Sequence, residues 1–378
     1  MNQRTARIDI GLLIATLVLV GFGIVFVYSS SFALAQSKFG GSDFFLARQL
    51  VRAALALGFF MVFINVDYHV WGKFARHAYV GVVILLLYVL VAPASRAIHG
   101  AKRWIMLGPI QFQVSELALL VLVIMLAAQL SSAEDQVKDA KKFVSFLVKI
   151  GIICGLIGLE PNFSTASIVA IIGLAMLFVA EARISHLSAL AVAALPLAVV
   201  AAFGAGYRRH RIMAFLHMSD HKGDIGYQAY QALIGLGNGG LFGVGIGQGG
   251  QKYFYLPEPH TDFVFSILGE ELGFAGLFAI LALFAFVVYC GIKIAIAAPD
   301  KMGRLMAFGF TFMIAMYVIV HAAVNVGLIP TTGIPLPFIS YGGMSLLFTV
   351  SSIGIMLNIS SQGGNAVQTS RRSTREFS

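Results

Sequence analysis

Between Asp9 and Lys38 the chain runs for 28 residues without a charge, and the first 19 of these, 10–28, are almost wholly apolar. A bilayer core about 30 Å thick takes roughly 20 apolar residues as a helix. Helices suit it because lipid offers no partner to a backbone N–H or C=O. The pattern recurs, predicting further spans near 53–64 with flanks, 78–91, 114–128, 143–159, 166–179, 187–203, 263–294, 305–326 and 336–357. With 58% hydrophobic and 11% charged residues, the chain lies far from the roughly 25% charge of soluble domains. The expected fold is an all-α integral membrane protein of about ten transmembrane helices.

In such a chain the placement of charge says more than the net +9, which in a soluble protein would point to nucleic acid. Cations mark cytoplasmic loops. An N-inside start puts about 14 of the 26 Lys and Arg on that side, about 11 outside, and Lys149 within a span. The exceptions concentrate in two outer loops, one with Arg96, Lys102 and Arg103, the other with Arg208, Arg209, Arg211, Lys222 and Lys252. Cations held against the topological rule point to another task. Cys154 and Cys290 both fall in apolar spans, so neither a disulfide framework nor a metal pair is indicated. Ala33-Leu34-Ala35 imitates a signal cleavage site, but the apolar run before it exceeds the usual length of about 7–15 residues, favouring an uncleaved first span. We read 1–362 as one membrane domain and 363–378 as a disordered, basic cytoplasmic tail.

The two outward-facing loops, 92–113 and 204–259, are far longer than ordinary connections of a few residues. In the second, nine of the 16 positions 235–250 are glycine, a density that implies tight or closely approached backbone. Gly-Leu-Gly-Asn-Gly-Gly and Gly-Ile-Gly-Gln-Gly-Gly both match G-x-G-x-x-G. That pattern binds dinucleotides only between a strand and a helix of a βαβ unit, which this chain lacks. A re-entrant or surface-lying segment is the expectation.

The densest constellation runs from Tyr255 through Pro257, Glu258, Pro259, His260, Thr261 and Asp262 into Ser266, Gly269, Glu270, Glu271 and Gly273. Asp262 has a structural reading as the N-cap of the following span. Against it, helical spacing puts Asp262, Ser266, Gly269 and Gly273 on one small, polar face. Intramembrane carboxylates are also costly and usually functional. Glu271 lies across the helix from Asp262, so a separate partner or a buried structural pair is expected for it.

In the first loop, Lys102-Arg103-Trp104 reads either as snorkelling cations with an interfacial aromatic or as a phosphate clamp. Gln113, Ser115 and Glu116 follow it into the next span. A third stretch, 327–343, carries Pro330, Pro335, Pro337, Ser340, Gly342 and Gly343. Its prolines dictate a fixed non-helical backbone, either a rigid turn or the wall of a cleft. No zincin, EF-hand or P-loop pattern occurs. Glu258 with Asp262 is a weak pattern for a divalent cation such as Mg or Mn, and no other cofactor is suggested.

Lys102-Arg103-Trp104 with Gly108-Pro109 and 113–116, then 256–263 with 269–273, then 330–343 together resemble the SEDS family of bacterial cell-wall polymerases (FtsW/RodA type) over nearly the whole chain. Tyr227, Gln228, Gln231 and the Gln251-Lys252 loop look closer to the division branch, FtsW, whereas 327–337 leans towards the elongation branch, RodA. The chain departs from the family pattern at Val114, Leu119, Asn162 after Glu160-Pro161, and Met344.

The resemblance implies a peptidoglycan glycosyltransferase in the bacterial inner membrane, with both termini cytoplasmic and its site on the outer face. Its substrates would be lipid II and an undecaprenyl-diphosphate-linked glycan, its partners a class B penicillin-binding protein and other division or elongation proteins. Asp262 would be the general base. Lys102, Arg103, Trp104, Gln113, Ser115, Glu116, Arg208, His260, Thr261 and Ser340 would bind substrate. Glu271, Pro257, Pro259, Gly342 and Gly343 would support them. Two rival readings are a lipid II flippase, favoured by Lys149 and His321 deep in the bilayer, and a non-catalytic division scaffold.

Overall fold

The computed structural model describes residues 8–92, 103–107, 110–133, 137–204, 206–216, 225–253, 255–256, 259–342 and 344–376, with side chains additionally left out at 107, 110, 195, 197–199, 201–203, 207–208, 225 and beyond Gly363. In chain order its elements are α1 (Ile10–Phe39), α2 (Phe44–Asn65), α3 (Tyr68–Val91), β1 (Trp104–Leu107), β2 (Ile110–Gln113), α4 (Val114–Ala133) and α5 (Ala140–Leu159). There follow α6 (Phe163–Val179), α7 (Ile184–Phe203), α8 (Gly206–Leu216), α9 (Ile225–Gly239), α10 (Val264–Ala297), α11 (Lys301–Asn325) and α12 (Ser345–Glu376). Among the described residues eight helices are long and apolar enough to cross a membrane, and α6 and part of α7 are shorter apolar helices. The molecule is thus a mostly helical membrane protein with the expected ten apolar segments.

Helix starts follow from local chemistry. Asp9, Asp67, Asp139 and Asp300 cap α1, α3, α5 and α11 with side-chain oxygens that accept from the first turn. The second span is longer than its uncharged run because two arginines lie inside it, each over a ring: Arg48 over Phe44 and Arg52 over Tyr341, both at 4.2 Å. The bundle is organised around α4 and the first 19 residues of α12, whose apolar stretches are 78% and 83% buried, against 22% for α3 at the periphery. Helices α10, α11 and α12 complete the core.

Three departures from the expected spans position the site. The first loop contains a β-hairpin, with Trp104 opposite Gln113 and Leu107 opposite Ile110. The last helix starts at Ser345 rather than near 336, because Pro335, Pro337 and a left-handed Phe338 (φ 64°) keep the preceding chain out of a helix, with a turn at 337–339. The long eighth span is two helical pieces joined at Gly273 (φ 67°, ψ −171°).

The glycine-rich stretch fills that break. Val244 and Gly245 N–H donate to the carbonyls of Glu270 and Glu271, and Phe274 and Ala275 N–H donate to those of Gly240 and Leu241. Every backbone group freed by the kink that these bonds reach has a protein partner, the condition for broken helices within a membrane. A Cβ on Gly243 would collide with the Glu271 carbonyl, so the glycine permits the approach as well as the positive φ.

Candidate functional site

The site is assembled from the turn before α10, the loop after α11, Arg103 beside the hairpin, and α8. Three successive carbonyls of the turn are each gripped by a different donor. Tyr341 N–H donates to His260 O (2.8 Å), Ser340 Oγ to Thr261 O (2.8 Å) and Asn325 Nδ2 to Asp262 O (3.2 Å). Ser340 Oγ also accepts from Leu336 N–H at 2.8 Å, so one hydroxyl braces both segments.

Asp262 is half-buried and precedes the N-cap position, which Phe263 occupies without a side-chain bond. Capping therefore does not explain the aspartate. Its Oδ2 lies 3.5 Å from where a Cβ on Gly333 would stand, so the carboxylate meets the 330–333 stretch. On that stretch Pro330, Thr331 and Thr332 line a cavity of about 300 Å³, together with Arg103, Asn162, Ser164 and Arg211 and, deeper, Ile168, Ile171, Met316 and Val320. The cleft thus joins a polar, cationic rim to an apolar floor.

Arg103 donates from Nε to Glu160 O at 3.0 Å and from Nη2 to Pro161 O, and Arg211 Nη1 donates to Thr331 O at 3.3 Å. Backbone carbonyls thus orient both guanidiniums at the cleft. The Glu160 carboxyl is 1% exposed, and burial pushes its pKa up to about 8, against the opposing pull of Arg103.

The other predicted residues fall as follows. His260 is buried against Phe45 and Tyr341, with ring centroids 4.6 and 5.2 Å away. Burial, joined by the nearby cations Arg52 and Lys38, lowers its pKa to about 4. Thr261 contributes its carbonyl to Ser340, and Pro259 and Gly342 flank the same clamp, the latter 3.3 Å (as a built Cβ) from Pro335. Trp104 sits in β1, and Gln113 Nε2 donates to Ser115 Oγ at 3.0 Å. Glu116 is buried beside Tyr317, Pro337 and Thr349. Gln113, Ser115 and Glu116 are not among the residues lining the cleft. Glu271 accepts from Ser29 Oγ and pairs with Lys252, while Glu270 accepts from the N–H groups of Gly250 and Gln251. Lys102, Pro257, Glu258 and Gly343 lie outside the described residues. Arg208 falls on α8 with its side chain outside them. Among the described residues no group of three His, Cys, Asp or Glu side chains could hold a metal ion.

Sequence reasoning missed Asn325 and gave Arg211 no more weight than its neighbours. Asn325 could have been noticed as a second polar residue one helical turn after His321 in an apolar span.

The architecture defines a polytopic membrane protein whose bent helix holds a carboxylate against the proline-rich loop that lines a cationic cleft, Asp262 itself not being among the lining residues. The FtsW/RodA/SpoVE profile, described as "Cell cycle protein", matches residues 10–364, and the chain belongs to that family. A probable peptidoglycan glycosyltransferase FtsW of Geobacter sp. (strain M18) is 38% identical over 361 residues, 95% of this chain and 98% of that protein. Stage V sporulation protein E of Bacillus subtilis (strain 168) is 38% identical over 363 residues, 95% and 99% of the two chains. Among solved structures, a chain from work on the structural coordination of polymerization and crosslinking by a peptidoglycan synthase complex superposes with a TM-score of 0.79. It is 28% identical, covering 94% of this chain and 98% of its own. Rod shape determining protein RodA of Thermus thermophilus gives a TM-score of 0.70 at 28% identity, covering 93% and 96%.

Proposed function

We propose that this protein is a peptidoglycan glycosyltransferase that polymerises lipid II, with Asp262 as the general base. The observation that carries the assignment of the base is the place of its carboxylate, against the 330–333 stretch whose other residues line a cleft holding Arg103 and Arg211. The acceptor sugar hydroxyl attacks the anomeric carbon of the lipid-linked glycan, its proton passes to Asp262, and the bond to the lipid diphosphate breaks. Cations fixed before the reaction stabilise the charge gathering on that diphosphate. Arg103 and Arg211 supply this, joined by Lys102 and Arg208. The apolar floor formed by Ile168, Ile171 and Val320 suits the prenyl chain. A single displacement inverts the anomeric centre.

The reading takes 1–362 as the membrane domain and 363–378 as a basic cytoplasmic tail. It puts the termini inside and the cleft on the outer face, and it takes a class B penicillin-binding protein as partner. Relatives named FtsW at 36–38% identity support the division branch. The structural neighbour from a peptidoglycan synthase complex supports a partner synthase. The groups that favour a flippase have other work: Lys149 Nζ donates to Gln129 Oε1 at 2.6 Å, and His321 Nδ1 lies 2.7 Å from Ile334 O.

The test is polymerisation of lipid II by folded wild type and Asp262→Asn, each with and without the penicillin-binding protein, read as glycan on a gel. Loss of polymer with the variant alone supports the base. Equal polymer from both removes Asp262 from the chemistry, and no polymer from either, even with the partner, moves transport or scaffolding ahead.

A further inference from the structure

Helix α10 begins directly after the proposed base, yet its own N-cap residue, Phe263, offers no side-chain oxygen. The first N–H groups of a helix need acceptors from outside it. Here one comes from another helix. Asn325, the last residue of α11 and 0% exposed, accepts through Oδ1 from the N–H of Ser266, the third residue of α10, at 3.2 Å, an N–H that Asn325 shares with Phe263 O at 3.0 Å and that a cap serves. Its Nδ2 donates to Asp262 O at 3.2 Å and to His321 O at 2.9 Å. One buried amide therefore ties the start of α10, the backbone of Asp262 and the end of α11 together.

We infer that Asn325 is a positioning residue of the transferase, which caps α10 in place of Asp262 and fixes the backbone from which the Asp262 carboxylate projects. The inference rests on Asp262 being the base. The geometry assigns the two tasks to two residues. An aspartate at a helix start ordinarily turns its oxygens back onto the first N–H groups, and a carboxylate committed in that way is a weaker and misdirected base. With Asn325 accepting from Ser266, the Asp262 carboxylate lies against Gly333, next to the cleft-lining Thr332 and Ile334. Asparagine is suited to the task because it has both an acceptor and two donors. Aspartate offers no donor when ionised, and leucine offers neither. His321 supports the same end of the fold from one turn earlier, through Ile334 O.

Asn325 touches no substrate in this scheme, so its loss should appear in turnover rather than in binding. A displacement of about 1 Å at a catalytic group costs about 10²-fold in rate. The experiment uses full-length protein in proteoliposomes with fluorescent lipid II as the probe, comparing wild type, Asn325→Leu, Asn325→Ser, Asp262→Asn and Thr311→Val. The last removes a buried hydroxyl that bonds only within α11, to Ala307 O, and reports what destabilisation alone does. Asn325→Ser is the smaller lesion and carries the test if the leucine variant does not fold.

The expected result is a fall in kcat of about 10²-fold for the Asn325 variants with KM within about twofold, while Thr311→Val keeps its kcat. Unchanged kcat in the Asn325 variants, a loss confined to KM, or an equal loss in Thr311→Val overturns the inference. An inactive Asp262→Asn beside fully active Asn325 variants sinks the positioning role and leaves the base standing. A fully active Asp262→Asn removes the base, and Asn325's role with it.

Discussion

Lys252 Nζ stands 2.9 Å from Glu271 Oε1, with side chains 2% and 0% exposed, and Ser29 Oγ donates to the same carboxylate. The pair joins the glycine-rich stretch to α10 just before its break at Gly273, and Ser29 ties α1 to both. A buried charge left without its partner costs far more than the intact pair contributes. Lys252→Met and Glu271→Leu should each destabilise the protein by about 3–5 kcal/mol, and the double variant by much less than the sum. Thermal unfolding of the four proteins in one detergent measures this as a double-mutant cycle, and additive losses would show that the two charges do not depend on each other.

The glycines of that stretch separate into two kinds. Gly243 has φ 79° and its built Cβ collides with the Glu271 carbonyl, whereas Gly240 has φ 52° and nothing within 4 Å. Gly240→Ala should therefore cost only the left-handed penalty of about 1–2 kcal/mol. Gly243→Ala must also push the stretch off α10, breaking the Val244 and Gly245 bonds, and should yield little folded protein. Recovery of both variants by size-exclusion chromatography checks the contrast, and equal yields would count against the close packing.

Much of this fold is legible in the sequence because each span carries its own signal: about 20 apolar residues cannot do much else. The charge-poor runs predicted ten segments, and the glycine density pointed to closely approached backbone, which 240–245 supply against α10, although 235–239 close helix α9. What escaped depends on partners distant in sequence. Ser29 is an ordinary small residue of an apolar span until Glu271 and Lys252, more than 220 positions away, are folded beside it. The apolar run of the second span, near 53–64, stops short of Arg52, whose partner ring, Tyr341, lies almost 290 residues on. The hairpin escaped because two four-residue strands leave too short an alternation to register against the apolar background. Asp262 was visible as a carboxylate at a span start, but nothing local showed that Asn325 would take over the capping.

Glu160 provides a test by pH. Its carboxyl titrates near its ordinary value of 4.5 in the unfolded chain and at about 8 in the folded protein. The folded state therefore holds a proton that the unfolded state has released between those values, and stability falls as pH rises through the window. Glu160→Gln carries no ionisable group and should remove that slope. We expect its melting temperature to match wild type near pH 4.5 and to exceed it by several degrees at pH 8. Parallel curves across the window would show that Glu160 is ionised throughout.

Arg103 and Arg211 differ from ordinary interfacial cations because backbone carbonyls of Glu160, Pro161 and Thr331 hold them at the cleft. An interfacial cation requires only charge, so lysine would serve equally well. A diphosphate clamp requires the planar fork, which lysine lacks. Under the proposed function, Arg103→Lys and Arg211→Lys should each lower kcat/KM for lipid II by about 10-fold, and the alanine variants by about 10²–10³-fold. The loss in the alanine variants, which alone remove a charge, should grow when the assay salt is lowered, as screening no longer masks the missing charge. Steady-state polymerisation at two ionic strengths decides the matter. Lysine variants with wild-type kcat/KM would return both residues to membrane anchoring and leave the leaving diphosphate to other cations.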